Sequence, residues 1–433
     1  MDAAGYNNLG ITYKDQDNLT KAIQMWEKAI ELDPDYAAAY INLGFAYCLQ
    51  GNLTKAIESC KKAIELDPDS AIAYINLGNA YNNQGNTTQA IQSFEKAIEL
   101  DPDDAQAYYN LGVAYKVQGT LTKAIENYEK AIELDPDYAA AYYNLGDIYF
   151  DQGNLNKAIQ MWKKTIELDP DYADAYNNLG YAYYLQGTLT KAIENYEKAI
   201  ELDPDSAQAY INIGNVYRDQ GNLTKAIQMW EKTIELNPDD AQAYYNLGIG
   251  YIETAETDKT IYDAPGEALQ DLIPLELPSK NLDENPELEK HALSWVYFIR
   301  AIECFEKAIE LNPDYADAYH SLGYAHHKTI DFTKAIDCFE KAIELNPDNP
   351  RTYYRLGNSY VVRRHCPKAI ECFQKAIELH PDFAKAYNNL GYVYLGFESP
   401  WYDSDLGIEC YKKAAKLGYK GAQIWLEKNG YDW

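Results

Sequence analysis

Residues 37–70 read AAAYINLGFAYCLQGNLTKAIESCKKAIELDPDS. Tyr40, Leu43, Gly44 and Tyr47 fall at i, i+3, i+4 and i+7, one face of a first helix. Gly51-Asn52 breaks that pattern with the residues a tight turn needs. Ala56, Ile57, Cys60, Ala63, Ile64 and Leu66 then mark the apolar face of a second helix. Asp67-Pro68-Asp69 ends it, and Pro68 is tolerated because it opens the next turn, where its missing N–H costs nothing. Small residues at Gly44, Ala56 and Ala63 let the two helix backbones approach closely. The stretch is a helix–turn–helix hairpin of 34 residues.

The same punctuation runs outward in both directions. Pro34, Pro68, Pro102, Pro136, Pro170, Pro204 and Pro238 are spaced by 34. After one interval of 75 the period resumes at Pro313, Pro347 and Pro381, so one repeat has received an insertion of 41 residues. A fixed period of this length means stacked hairpins. Helices of about 14 residues are marginal alone, so each forms because its neighbours cover its apolar face. The 41 tyrosines of the 433-residue chain belong to this repetition, most of them at two recurring aromatic sites or beside them. Residues 119–137 and 187–205 are identical, and 157–168 differs from 225–236 at one position. This is a duplicated 68-residue unit, and a surface built that way offers the same chemistry at regular steps, which suits an extended ligand.

The pattern of aromatic, Leu-Gly, Tyr, Ala, aromatic and Pro is met by Tyr108, Leu111, Gly112, Tyr115, Ala124, Tyr128 and Pro136. Tyr210, Ile213, Gly214, Tyr217, Ala226, Trp230 and Pro238 meet it again. In these residues the chain resembles the tetratricopeptide-repeat (TPR) family, with ten repeats across 3–383 and an altered eleventh from 384. Leu406 to Gly418 resembles the related Sel1-like repeat, and a last helix near 420–429 reads as its cap. The resemblance implies an all-α, right-handed superhelical solenoid of about eleven repeats. The expected divisions are 1–252 (repeats 1–7 and the first helix of repeat 8), an acidic insertion at 253–297, 298–383 (the rest of repeat 8 and repeats 9–10), and 384–433.

Charge narrows the partners. Net charge is −29, and all of it lies in the first 315 residues, with 23 basic against 52 acidic groups. The remainder holds 15 of each. So acidic a body repels phosphate backbones, which argues against nucleic-acid binding. No run of 18 apolar residues offers a membrane span. MDAAGYNNLG has neither a basic nor an apolar leader region, so the cytoplasm is the expected compartment. No CxxC pair occurs among the seven cysteines, and Cys304, Cys338, Cys372 and Cys410 recur in register as small packing residues; no metal or cofactor is expected. Carboxylates fall on turns and solvated faces in every copy, without a unique acid, base and nucleophile, so an enzyme is not expected.

In TPR proteins the first helices line the concave face, with positions 2, 5, 6, 9, 12 and 13 of each repeat pointing inward. Position 6 is Asn8, Asn42, Asn76, Asn110, Asn144, Asn178, Asn212, Asn246 and Asn389. An amide offers donor and acceptor together, so this ladder is expected to grip an extended peptide backbone. It is similar to the asparagine ladder of the TPR superhelix in O-linked N-acetylglucosamine transferase, whose catalytic domain has no counterpart here. Phe45, Tyr109, Tyr143, Phe150, Tyr181, Tyr184 and Tyr245 are the expected side-chain anchors between the amides. In repeats 9 and 10 Ser321 and Arg355 replace the asparagine. Arg351 and Arg355 share a helix face, with Lys328, Lys385, His320 and His327 as candidate neighbours, which points to an acidic or carboxylate group of a ligand. Basic residues at positions 2 and 6 resemble those of carboxylate-clamp TPRs, although Tyr245 and Ile249 stand where that clamp carries Lys and Asn.

Residues 253–297 carry 11 acidic groups, three lysines and the prolines Pro265, Pro274, Pro278 and Pro286. Asp271 to Pro278 is an apolar, proline-flanked segment suited to docking on a partner or on this chain, and Asn285-Pro286-Glu287 reads as a helix start running to Leu311. Asn18, Asn52, Asn86 and Asn222 sit in Asn-x-Thr triplets at inter-helix turns, where they read as turn and cap residues rather than glycan acceptors. Tyr6 and Leu9 already belong to a first helix, so the N-terminal repeat is expected to fray or to self-associate. The expected role is a scaffold or adaptor holding a protein or peptide segment. The alternative is a dedicated subunit of one larger complex, docked through the insertion and terminal repeats.

Overall fold

The structure is a computed structural model. It describes residues 1–257, 286–396 and 403–433, with side chains from 293 onward in the second segment. Twenty-three helices and no strand occur among the described residues. They pair as tandem hairpins in two compact units, Met1–Thr188 and Leu189–Trp433. The first unit holds repeats 1–5 and the first helix of repeat 6 (Ala173–Leu185); the second begins with that repeat's second helix (Leu189–Leu202). The apolar Asp271–Pro278 stretch lies outside the described residues.

Most hairpins close on a glycine against a ring, while repeat 2 sets Gly44 on the Cys60 thiol. In repeat 5, a Cβ on Gly146 would lie 2.4 Å from Nε1 of Trp162, which is 2% exposed. The same register sets Gly78 on Phe94, Gly112 on Tyr128, Gly214 on Trp230 and Gly323 on Phe339. Burying an aromatic of this size contributes roughly 2–3 kcal/mol, so each of these repeats carries its own anchor.

Adjacent repeats are clipped on the opposite side. Tyr47 donates its O–H to Glu27 at 2.9 Å, and Tyr115 to Glu95, Tyr217 to Glu197 and Tyr251 to Glu231 do the same, each twenty residues apart. A lysine covers the ring in several copies, as Lys123 does for Tyr115 at 4.8 Å. Burial, together with the Glu27 bond and charge, pushes the Tyr47 phenol up to about 12, so it stays a donor at neutral pH.

Turns follow the sequence reading. Gly51, Gly85, Gly119, Gly153, Gly187 and Gly221 adopt left-handed backbone, and Asp17, Ile330 and Arg364 hold that conformation in repeats 1, 9 and 10. Asn18, Asn52, Asn86 and Asn222 accept from the backbone N–H three residues on, capping the second helices.

Repeat 8 has lengthened helices on both sides of its insertion. Its first helix runs from Ala241 to Glu256, and its second from Pro286 to Leu311. The extra turns support each other: Ser294 Oγ donates to the Ala255 carbonyl at 3.0 Å, Tyr251 stacks on Tyr297, and Leu293 is buried. At the C-terminus, Ala384–Tyr394 and Ser404–Lys416 pair through two glycines, with a Cβ on Gly391 lying 3.0 Å from the Gly407 carbonyl oxygen. The helix Lys420–Lys428 then covers them, Trp425 stacking on Tyr411 at 4.5 Å.

Candidate functional site

Inter-repeat bonds occupy much of the asparagine ladder. In the first unit Asn42 Nδ2 donates to Asn7 Oδ1 at 2.9 Å and Asn76 Nδ2 to the Ile41 carbonyl. Asn144 reaches the Tyr109 hydroxyl, and Asn178 the Tyr143 hydroxyl, both at 3.1 Å. In the second unit Asn246 reaches Asn215, and Asn389 reaches Tyr354 and Asn358. Asn212 accepts from Gln208. Asn8 is exposed, and Asn110 Nδ2 is buried without a partner. Much of the row thus forms bridges between repeats. The cause is the 35-residue spacing, which sets position 6 of one repeat beside position 5 of the repeat before it.

The aromatics divide in the same way. Tyr109 packs on Tyr138, Tyr143 on Tyr172 and Tyr245 on Tyr315, each at 4.9 Å, so these rings are inter-repeat wedges. Phe45 and Tyr181 are 40% and 39% exposed and remain open to a ligand. Phe150 and Tyr181, 5.7 Å apart, border a pocket of about 250 Å³ that Lys116, Asp147, Asp151, Trp162 and Asn178 complete. Tyr184 lies 6.4 Å from Tyr181. Asp147 accepts from Lys116 Nζ at 3.1 Å, Trp162 Nε1 at 3.3 Å and Asn178 Nδ2 at 3.2 Å. Burial raises its carboxyl and Lys116 opposes the shift.

The basic residues of repeats 9 and 10 meet in a larger pocket of about 810 Å³ in the second unit. Three first helices form it: Ala316–Lys328, Pro350–Val362 and Ala384–Tyr394. Arg351, Arg355, Lys328, Lys385 and His327 line it together with Tyr324, Tyr354, Asn358, Phe339 and Phe383. His320 lies deeper, its Nδ1 2.9 Å from Thr352 Oγ1; burial, then Arg355 and Arg351, lowers its pKa to about 4, so it is neutral at pH 7. Arg355 occupies the ladder position, and its guanidinium lies 3.5 Å from the centre of the Tyr324 ring. Glu256 accepts from the Tyr324 hydroxyl and pairs with Lys328 at 3.8 Å, a contact made by the extra turn of repeat 8. Among the described residues no carboxylate pairs with Arg351, Arg355 or Lys385. Sequence reasoning named the cations but missed Glu256, Tyr354, Phe383 and Asn358, although Tyr354 shares the station of Tyr109, Tyr143 and Tyr245, where an aromatic anchor is expected.

Comparison with known families agrees with this architecture. The model of the TPR repeat matches residues 10–51, 46–85, 78–119, 117–153, 146–187, 182–218, 214–253, 300–329, 331–361 and 366–396, and that of the Sel1 repeat matches 384–419. The chain belongs to the tetratricopeptide-repeat family, with a Sel1 repeat near its C-terminus. Among solved structures it is similar to c5321, a protective antigen present in uropathogenic Escherichia coli strains and displaying an SLR fold. That match has 19% identity and TM-score 0.66 over 99% of this chain and 88% of the other, a likeness of fold. MamA matches at 34% identity over 38% of this chain and 97% of its own, TM-score 0.35. YrrB, described as a TPR protein with an unusual peptide-binding site, matches at 30% over 43% and 97%, TM-score 0.37. No curated protein matches the chain. Tandem TPR repeats place it in the class of protein–protein interaction scaffolds. No helix among the described residues is long and apolar enough to cross a membrane.

Proposed function

We propose that this chain is a non-catalytic adaptor that holds an extended segment of a partner protein along its first-helix faces, with an acidic group of that segment in the pocket of repeats 9–11. The observation that carries this reading is the set of Arg351, Arg355 and Lys385 around an open, aromatic-walled pocket without carboxylate partners among the described residues. Three cations within a chain of net charge −29 stay there only against a local cost in mutual repulsion, and an incoming anion relieves it. On the first-helix face of the first unit, Phe45, Phe150, Tyr181 and Tyr184 supply apolar bodies for ligand side chains. Asn8 and Asn42 have N–H groups left for a peptide backbone, whereas Asn178 and Asn389 spend theirs on neighbouring repeats and Asn144 divides its own between Tyr109 and the Ala140 carbonyl of its own helix.

The test uses a fluorescein-labelled, C-terminally amidated acidic peptide and fluorescence anisotropy with the full chain. Arg351→Ala with Arg355→Ala removes two charge-assisted contacts, each worth roughly 1.5–3 kcal/mol, so affinity should fall at least about a hundredfold. Wild-type affinity should also fall as salt is raised. Equal, salt-independent binding by wild type and double variant would refute the reading.

A further inference from the structure

We propose that the Sel1-like repeat is part of the binding site, and that Tyr419 makes the basic pocket select an acidic residue with an aromatic neighbour in the partner chain. This deepens the reading above and rests on it.

Register and pocket together single out Tyr419, since Tyr36, which shares its register opposite Asn7, does not border the basic pocket. The residue just before a first helix is aromatic in several repeats, and its ring packs on the position-5 ring of the preceding repeat. Tyr138 on Tyr109, Tyr172 on Tyr143 and Tyr315 on Tyr245 do so at 4.9 Å, and Phe383 on Tyr354 at 5.0 Å. Tyr419 stands at the same station, as the residue preceding Lys420–Lys428. Position 5 of the preceding first helix is Asn388, which has no ring and instead donates to Asn389. Tyr419 has therefore kept the station and lost the partner. It is half-buried, and with Leu417 and Gly418 it borders the pocket. The turn is well defined: Gly418 takes φ +87, and the Tyr419 N–H bonds the Ala414 carbonyl at 3.0 Å.

The other borders say what such a wall would meet. Glu256 already satisfies the Tyr324–Lys328 rim, so the incoming carboxylate goes to the Arg351–Lys385 side. Lys385 lies on the helix that begins one residue after Phe383. A pocket of about 810 Å³ has room beyond a carboxylate, and its apolar walls are the rings of Tyr354, Phe383 and Tyr419. A ring next to the acid in the ligand fills that space and faces other rings.

Two amidated, fluorescein-labelled peptides with the same flanking glutamates test this, one with a central Glu-Phe pair and the other with Glu-Ala. Wild type should favour the Glu-Phe peptide by about tenfold, the worth of burying one ring. Tyr419→Ala should abolish that preference, so that the two peptides bind alike, Tyr419→Phe should keep it, and Arg351→Ala should weaken both peptides while the preference persists. Because Tyr419→Ala also strips a residue from the C-terminal packing cluster, a second measurement uses a benzophenone amino acid at position 419 to photo-crosslink the Glu-Phe peptide. A wild type without preference, a preference that survives Tyr419→Ala, or no crosslink from 419 overturns the inference while the adaptor reading stands. Failure of both peptides to bind wild type overturns the adaptor reading itself.

Discussion

Replacing Asn178 by Ala separates a structural ladder from a free one. Asn178 Nδ2 donates to the Asp147 carboxylate at 3.2 Å and to the Tyr143 hydroxyl at 3.1 Å. A bond to a charged group is worth roughly 1.5–3 kcal/mol and a neutral one about 1 kcal/mol. Asp147 is 23% exposed at its side chain, and the adjoining pocket admits solvent to part of what is lost. The expected cost of Asn178→Ala is thus about 2 kcal/mol. Asn110→Ala deletes an amide whose nitrogen is buried and unpaired, so it should cost less than about 0.5 kcal/mol or stabilise slightly. Repeat arrays open locally, so a single global transition is the wrong observable. Hydrogen exchange read by mass spectrometry should show faster opening of Ala139–Asp151 and Ala173–Leu185 in Asn178→Ala and wild-type rates in Asn110→Ala. Equal effects, or the larger effect at Asn110, would refute the assignment of these amides as bridges.

Ile330 holds left-handed backbone at φ 68, where six other repeats have glycine. A branched side chain there costs roughly 1–2 kcal/mol, so Ile330→Gly should stabilise repeats 9 and 10 by about that amount, measured as slower exchange of Ala316–Lys328 and Phe332–Leu345. His320 is held neutral, with its pKa lowered from 6.5 to about 4. The unfolded chain takes up that proton first, so its contribution is complete above pH 6.5 and is lost as pH falls from there through about 4. Wild type should therefore lose more urea resistance between pH 7 and pH 4.5 than His320→Gln does; identical pH profiles would remove His320 as the cause.

The fold was legible because it is written many times over: the 34-residue proline period, the Gly-aromatic pairing of Gly112 with Tyr128, and the Asn caps are each repeated local statements. The cations were legible for the opposite reason, since Arg351 and Arg355 interrupt a pattern that is otherwise constant. What sequence could not show was the use of the ladder. Whether an inward asparagine meets a peptide or the next repeat depends on a side-chain reach of about 3 Å, and helical periodicity is blind to that distance. Tyr109, Tyr143 and Tyr245 illustrate the same limit, for their partners Tyr138, Tyr172 and Tyr315 lie beyond the proline turn, one residue before the next repeat's first helix. Glu256 was out of reach because it belongs to a helical extension that no other repeat has. Asp147 did carry a signal, being the one carboxylate at a position that holds Asn79, Asn215 and Asn358 elsewhere.

The central claim, that the partner sits on the first-helix face with an acidic group in the basic pocket, is tested most directly by hydrogen exchange of the full chain with and without the amidated Glu-Phe peptide. Helices fray and reclose from their ends, and a ligand slows this where it rests. Binding should protect Pro350–Val362, Ala384–Tyr394 and the 417–419 turn, and leave the second helix Cys366–Leu379 at its free rate. Protection confined to Cys366–Leu379, with Pro350–Val362 unchanged, would contradict the account.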